Sequence, residues 1–175
     1  MKYLKFLLII GIITSTVSCK KNRYPEFENS ANAQFTIVNP KPKPPATAIV
    51  ASDYNNGLLS KATPAVTDDF VLKLVESGNV KSVSVLVDYR KTATVTTYTK
   101  EFKNISTWPQ TYSASINDLV ALFSSNGLTL ANLAVGDRFV YRVVITLNSG
   151  TVISGQGALL TTAPYAITLT YVVTA

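Results

Sequence analysis

The side chains that could do chemistry are few and poorly arranged for catalysis. The 175-residue chain has no histidine, so it lacks the commonest general base and the commonest metal ligand. Asp68 and Asp69 are adjacent, which on a strand directs them to opposite faces, whereas a glycosidase needs two carboxylates that face one cleft. Asp88 and Glu101 are distant in sequence, and no motif links them. Residues 154–157 are not followed by the lysine and hydroxyl residue that end a phosphate-binding loop. We therefore expect no enzyme, no catalytic residues, no metal site and no cofactor.

The single cysteine, Cys19, has a position typical of lipid attachment. A short positive segment is followed by an apolar run at residues 6–13, which is shorter than the roughly 20 residues of a membrane-spanning helix and suits a signal peptide. Ser18 and Cys19 resemble the lipobox of a bacterial lipoprotein. That resemblance implies cleavage before Cys19, diacylglycerol on its thiol and acylation of its new amine. The alternative is an ordinary secretory signal with a chance cysteine.

Aromatic side chains offer a second possible chemistry, which is stacking on sugar rings. Trp108 and Tyr112 are the candidate glycan-binding residues, since they lie four positions apart in one segment. Their alternative role is packing at the border of the core. Tyr98 is a weaker candidate that could instead form a cross-strand packing pair, and Tyr54 stands beside two asparagines.

Composition divides the chain into three parts. Residues 1–18 are predicted to be a lipoprotein signal peptide, residues 19–47 a lipidated tether, and residues 48–175 the folded body. The prolines of residues 39–45 favour polyproline II and a stiff spacer, with a ligand for a proline-recognition domain as the alternative. Residues 34–38 alternate in polarity and could add a short strand to the edge of the body or to a partner.

The positive charge of the chain lies mainly outside the predicted body. Sixteen basic and ten acidic residues give a net charge of +6. From Ala48 onward there are nine basic and eight acidic residues, so that part carries 9 − 8 = +1. A nucleic-acid-binding domain needs a basic face, and we therefore expect no nucleic-acid partner.

Several segments of the body alternate apolar and polar residues with a period of two, as strands with one buried face do. The clearest are residues 70–75, 83–89, 139–147 and 165–173. Residues 93–103 are rich in Thr, Val and Tyr, and Asn148-Ser149-Gly150 is typical of a hairpin turn before a strand at 151–154. The pattern predicts an all-β fold, an antiparallel β-sandwich.

One segment departs from this period and predicts a short crossover helix at about residues 115–125. Ser115 and Asp118 fit a capping box, an apolar stripe follows, and Gly127 fits the end of the helix. Gly136 and Asp137 are predicted to form the turn that starts the long strand at 139–147.

The order of these pieces carries a family resemblance. The strand at 83–89, the segment 107–113, the predicted helix, and then residues 128–139 and 144–150 are similar to the immunoglobulin-like β-sandwich domain of accessory outer-membrane lipoproteins. Those lipoproteins belong to polysaccharide-utilisation loci of Bacteroidetes, of the starch-utilisation type. The resemblance covers roughly residues 66–160 and the leader, and it implies an immunoglobulin-like sandwich without catalytic activity.

The resemblance also implies a function. It predicts a lipid-anchored envelope module of a polysaccharide-utilisation system that acts through a protein partner, either a TonB-dependent transporter or a glycan-capturing lipoprotein. Direct binding of a polysaccharide through an aromatic platform at Trp108 and Tyr112 is the alternative. The expected location is the outer membrane, and the basic residues that follow Cys19 leave both its cell-surface and its periplasmic face open.

Overall fold

A computed structural model describes residues 31–75, 79–154 and 167–175. The elements, in chain order, are β1 (Asn32–Ile37), β2 (Asn56–Ser60), β3 (Asp68–Val75), β4 (Val80–Arg90), β5 (Thr97–Ile105), β6 (Gln110–Ala114), α1 (Ile116–Leu122), β7 (Arg138–Leu147), β8 (Val152–Ser154) and β9 (Leu169–Thr174). Short 3₁₀ turns occupy Ala51–Tyr54 and Ser124–Asn126. The predicted leader and Cys19 lie outside the described residues, as does most of segment 154–157.

The strands form two sheets. One sheet has the order β1-β3-β6, and the other has the order β2-β9-β7-β4-β5, with β8 also paired to β7. Every pair is antiparallel except β2 with β9, which is parallel. The expectation of a purely antiparallel sandwich is corrected at this pair. Parallel neighbours need a long crossover, and the chain between β2 and β9 supplies one.

The two sheets enclose one core between them. The Phe70 ring on β3 lies 4.9 Å from the Tyr141 ring on β7 and 6.5 Å from the Tyr171 ring on β9. In the same aromatic cluster, Phe102 of β5 contacts Tyr112 of β6 edge to face at 5.4 Å. The molecule is therefore an all-β protein of two packed sheets, as the period-two pattern predicts.

The predicted strands are confirmed with small shifts of their ends. Residues 70–75, 83–89 and 139–147 fall within β3, β4 and β7, and the segment 93–103 becomes β5. The hairpin between β7 and β8 turns at Gly150, whose φ is +86°. Of the predicted strand at 165–173, the described part forms β9.

Two strands carry too little apolar patterning to be predicted. β6 has one large apolar residue among polar ones. β2 is short and contains Gly57, against which the Tyr171 ring packs. A Cβ at position 57 would lie 2.4 Å from Tyr171 Cε1, so the close approach of β2 to the β9 ring requires glycine.

The folded body begins earlier in the sequence than the predicted boundary between residues 47 and 48. β1 pairs with β3 over its whole length, and it buries Ala33, Phe35 and Ile37 in the core. The short strand predicted at residues 34–38 is thus an edge strand of the body. Because it supplies one border of a sheet, the predicted start of the body at residue 48 is corrected. The proline segment follows β1, so it is a loop between β1 and β2 and not a spacer ahead of the body.

Helix α1 lies where the capping pattern predicts it. The Ser115 hydroxyl accepts a hydrogen bond from the Asp118 amide at 3.1 Å and donates one to Asp118 Oδ2 at 2.5 Å. The 3₁₀ turn after α1 ends at Gly127, whose φ is +77°. Between them, Phe123 is fully buried and contacts the Tyr89 ring at 5.7 Å, so this segment closes one end of the core.

Candidate functional site

The two predicted glycan-binding residues are packed against the core. Tyr112 lies on β6 with its ring 5.7 Å from Phe70 and 5.4 Å from Phe102, and burial raises the pKa of its hydroxyl. Trp108 precedes β6 and is also half-buried against core residues. Sugar stacking requires an open ring face, and Tyr112 uses its ring inside the protein.

The other two tyrosines proposed for sugar contact have different surroundings. Tyr98 of β5 stacks on the Tyr89 ring at 6.3 Å, with Lys91 Nζ 5.8 Å from its ring centre. This is the cross-strand packing that the alternative role of Tyr98 predicts, since Tyr89 and Tyr98 are register partners. Tyr54 is 46% exposed at the end of its 3₁₀ turn.

A cavity lies beneath the proline loop, at the open side of the sandwich where β1 faces β2. Its volume is about 330 Å³, which is within the range of small-molecule sites. Lys41, Pro42 and Pro44 of the loop form one wall, and Leu58 of β2 and Val66 lie opposite. The proline-rich stretch is therefore a wall of a concave site, a role that its composition does not predict.

The charged side chains of this cavity are Asp53, Asp68 and Lys41, and its uncharged polar side chains are Asn39, Asn56, Ser60, Thr63 and Thr67. Asp53 is only 1% exposed. Its Oδ2 accepts a hydrogen bond from the Val50 amide at 2.9 Å, while its Oδ1 has no hydrogen-bond partner among the described residues. A buried acceptor without a donor is unfavourable, but this oxygen has less than 1 Å² of accessible surface and is therefore closed off from the cavity space.

The second carboxylate of the cavity, Asp68, begins β3. Burial raises its pKa, although the neighbouring Tyr171 hydroxyl and the Lys41 ammonium act in the opposite direction. The Tyr171 hydroxyl is itself buried without reaching hydrogen-bond geometry. Its burial, followed by the negative charge of Asp68, raises the pKa of Tyr171. Asp69, the next residue, is exposed and accepts a hydrogen bond from the Ser113 hydroxyl at 2.6 Å, as alternation along a strand requires.

Exposed apolar side chains are concentrated in the part of the chain that forms this cavity. Six of the ten large hydrophobic side chains exposed in the described residues lie between residues 38 and 66, and we call these six the apolar rim: Val38, Ile49, Val50, Tyr54, Leu58 and Val66. Leu58 and Val66 line the cavity itself, and the Val50 amide binds Asp53. A concentration of exposed apolar side chains is a candidate contact surface.

A second, more apolar cavity of about 270 Å³ opens between β5, β6 and α1. Phe102, Leu119 and Leu122 line it, with Lys103 among its polar groups. Tyr141 also lines it, and its hydroxyl is fully buried without a hydrogen-bond partner in the described part of the chain. Burial, followed by the negative charge of Asp118, raises the pKa of Tyr141.

Neither member of the distant acidic pair, Asp88 and Glu101, lines either of these two cavities. Asp88 lies on the outward side of β4, where Arg142 Nε donates to it at 3.1 Å and the Thr99 hydroxyl at 2.8 Å. Glu101 on β5 accepts instead from the Ser84 hydroxyl at 2.9 Å. Burial alone would raise the pKa of Asp88, but the hydrogen bonds and charge of Arg142, with Thr99 and Arg90, outweigh it and lower that pKa.

A third buried carboxylate fixes the turn that leads into β7. Asp137 accepts hydrogen bonds from the Tyr89 hydroxyl at 2.6 Å, the Thr92 amide at 2.8 Å and the Ala134 amide at 3.0 Å. Gly136 beside it has φ +91°, which confirms the predicted turn. Asp137 thus ties β4 and two loops together and plays a structural part.

Sequence reasoning missed the cavity beneath the proline loop, although it did single out the residues near it. Asp53 lies in a 3₁₀ turn, where no strand or helix period marks a buried position. Asp68 was considered only as one of an adjacent pair. The available signal was the polar cluster beside Tyr54, which includes Asn56, a residue of the cavity wall.

Comparisons with known proteins found no family model, no curated protein and no solved structure that matches the chain. Among residues 31–75, 79–154 and 167–175, no helix has the length and apolar character needed to cross a bilayer. The same residues contain no cluster of three or more His, Cys, Asp or Glu side chains that could hold a metal ion.

Proposed function

We propose that this chain is a non-catalytic, lipid-anchored module of the bacterial envelope that acts by contact with a protein partner. The partner is a TonB-dependent transporter or a glycan-capturing lipoprotein of a polysaccharide-utilisation system. The sandwich is immunoglobulin-like in this proposal, and the body lies at the outer membrane, on its cell-surface or its periplasmic face. The apolar rim is the observation that carries the proposal.

The rim supports a protein partner because of its chemistry and its place. Ile49 and Val50 are each about half exposed, and both lie in the loop between β1 and β2. β1 and β2 are border strands of the two sheets, so backbone groups for strand addition lie close to this apolar surface. A partner can use both, with main-chain hydrogen bonds for affinity and the rim for specificity.

The corrected domain boundary supports an anchor that holds the body near the membrane. From Cys19 to Ala31 the chain takes 31 − 19 = 12 residue steps, and at about 3.5 Å a step they span at most about 40 Å. Three acyl chains on Cys19 would bind the membrane far more firmly than one. In this proposal the body therefore meets partners that are themselves in or on the outer membrane.

Glycan binding through Trp108 and Tyr112 is the second candidate, and the packing of Tyr112 disfavours it. Affinity electrophoresis of the protein through gels containing single polysaccharides tests it directly. Retardation that is lost in Trp108→Ala would establish this alternative. Equal mobility of the wild type and that variant in every gel would contradict it.

The anchor is tested by metabolic labelling with a palmitate analogue. Wild type should take up label and sediment with outer membranes, whereas Cys19→Ala should be unlabelled and remain soluble. An unlabelled wild-type chain would contradict the lipoprotein assignment, and it would leave an ordinary secretory signal.

The partner surface is tested by cross-linking and co-purification from outer membranes. The double variant Ile49→Glu/Val50→Glu places charge on the rim without touching the cavity lining. Its matched control is Val95→Glu/Val152→Glu, which adds the same charge at two other exposed positions. We expect the rim variant to lose the transporter or lipoprotein and the control to keep it. Equal recovery with both variants would contradict the proposed surface.

A further inference from the structure

One end of the sandwich carries exposed side chains that the proposed function does not use. It contains the loop between β4 and β5 and the loop that leads from α1 into β7. Both loops lie at the same end because Arg90, the last residue of β4, is the register partner of Arg138, the first residue of β7. We call residues 90–97 and 127–138 the loop end.

Three exposed aliphatic side chains stand on the loop end. Val95 is fully exposed, Val135 is 58% exposed, and Leu130 is exposed as well. They are three of the four large hydrophobic side chains that are exposed in the described residues outside the apolar rim. None of the three lines either cavity. Separate apolar side chains that project from loops fit a fluid apolar phase, which needs no complementary pocket.

The charges of the loop end are mainly positive. Its basic residues are Arg90, Lys91 and Arg138, and its one acidic residue is Asp137. Asp137 is buried, whereas Arg90 and Arg138 are both exposed. Within the described residues Arg138 has no ion pair, and Arg90 has one with Asp88 at 3.3 Å. The charge that this end presents to solvent is therefore positive.

The two arginines are placed where they repel each other. Arg90 and Arg138 stand directly opposite each other on β4 and β7, and like charges in such positions are unfavourable. Asp88 offsets little of this charge, because Arg142 Nε also donates to it at 3.1 Å. An anion bound between the two guanidinium groups would remove the repulsion, and guanidinium groups match the oxygens of a phosphate group.

Hydrogen bonds hold the two loops in a fixed shape. Asp137 Oδ1 accepts from the Thr92 amide at 2.8 Å, and its Oδ2 accepts from the Ala134 amide at 3.0 Å, so one carboxylate joins both loops. Asn132 Nδ2 also donates to the Gly127 carbonyl at 2.8 Å. A surface that is ordered before binding loses less conformational entropy when it binds.

We propose that the loop end binds directly to the surface of an anionic membrane. Val95, Leu130 and Val135 enter the lipid layer, and Arg90 and Arg138 lie on lipid phosphate groups. Binding to a membrane surface strengthens with the apolar area that is buried and with the attraction between basic residues and anionic lipids. The loop end supplies both, whereas an acidic protein surface would use only its charge.

This contact and the proposed anchor can form together. The segment from Cys19 to Ala31 spans at most about 40 Å, and the 11 residues of β4, the longest strand, span about 35 Å. A chain anchored at Cys19 can therefore place either end of the sandwich on the membrane.

The experiment uses the full-length chain with Cys19→Ala, which removes the proposed anchor and the native thiol. In this background Val95→Cys carries a polarity-sensitive fluorophore at the loop end. Val152→Cys carries it at another exposed valine, on β8, as the matched control. Vesicles contain phosphatidylcholine with or without an equal amount of phosphatidylglycerol. We expect a blue shift of the emission at position 95 with the anionic vesicles, and none at position 152.

Variants of the chain labelled at position 95 separate charge from apolar contact. Arg90→Gln/Arg138→Gln should weaken binding to the anionic vesicles about tenfold, at about 1 kcal/mol for each charge. Its matched control, Lys81→Gln/Lys103→Gln, removes the same charge at two other exposed positions and should change binding less than about twofold. Val135→Asn should weaken it about fivefold, because less apolar surface is buried.

Four results would overturn the inference. They are no shift at position 95, equal shifts at positions 95 and 152, equal binding to neutral and anionic vesicles, and unchanged binding in the double arginine variant. Binding of polyglutamate without any shift on vesicles would assign the loop end to an acidic protein surface and would also contradict it. None of these results bears on the apolar rim or on acylation of Cys19. Val95→Glu in the partner experiment leaves the anchor in place, so the two tests stay separate.

Discussion

At the scale of single residues, the buried carboxylates differ in how completely their oxygens are hydrogen-bonded. Asp88 and Asp137 are nearly inaccessible, and each accepts several hydrogen bonds. Asp53 is equally buried and accepts one. Completed sites of this kind hold strands and turns in place, whereas one oxygen of Asp53 is buried without a donor among the described residues.

Asp88 should make the stability of the protein depend on acid. Its pKa is lower in the folded state than its ordinary value of 3.8, so its contribution is present above about pH 4 and is lost as the pH falls through the folded-state pKa. Asp88→Asn should lower the free energy of unfolding by about 1–3 kcal/mol at pH 7. The difference from wild type should shrink below about pH 4. Urea unfolding from pH 7 to pH 3 measures it, and a difference that stays constant with pH would contradict the role.

Asp137 should be a larger contributor to stability than an exposed aspartate is. Asp137→Asn replaces a carboxylate oxygen that accepts hydrogen bonds with an NH₂ group that cannot, and we expect a loss of about 2–3 kcal/mol. Asp69→Asn makes the same substitution at an exposed site and should stay within about 0.5 kcal/mol of wild type. Urea unfolding at pH 7 compares the two variants, and similar values for both would rule out the structural role of Asp137.

At the scale of elements, the parallel pair of β2 and β9 depends on one glycine. Gly57→Ala would drive a methyl group into the Tyr171 ring, and overpacking of a filled core costs about 1–3 kcal/mol. In the background Tyr171→Leu the same alanine should be tolerated better, since the nearest atoms are gone. A double-mutant cycle of unfolding free energies measures this coupling, and strictly additive losses would show that the two residues do not constrain each other.

The elements also show how far sequence reasoning reaches. Strands such as β4 and β7 were predictable because half of their residues face the core and the other half face outward. Helix α1 was predictable because Ser115 and Gly127 mark the limits of its segment. β2 and the cavity were not predictable. Gly57 owes its role to Tyr171, more than a hundred residues away in the sequence, and Asp53 stands in a turn that has no period.

At the scale of the whole molecule, the folded unit should include β1. A fragment of residues 31–175 should unfold cooperatively, whereas residues 48–175 lack Phe35 and Ile37, two buried side chains of β1. Burial of such side chains is worth about 1.5–3 kcal/mol each, against a total stability of about 5–15 kcal/mol for a domain. Thermal unfolding followed by circular dichroism compares the fragments, and equal midpoints would show that β1 is dispensable.

The position of β9 has a consequence for how the protein is made. This strand comes near the end of the sequence, yet it lies between β2 and β7 inside the larger sheet. During synthesis the ribosome delivers β2 and β7 first, and they cannot be joined until residues 169–174 have emerged. The growing chain thus lacks a finished core until these residues have emerged, which suits a protein that, with the proposed leader, must thread through a translocation channel before it folds.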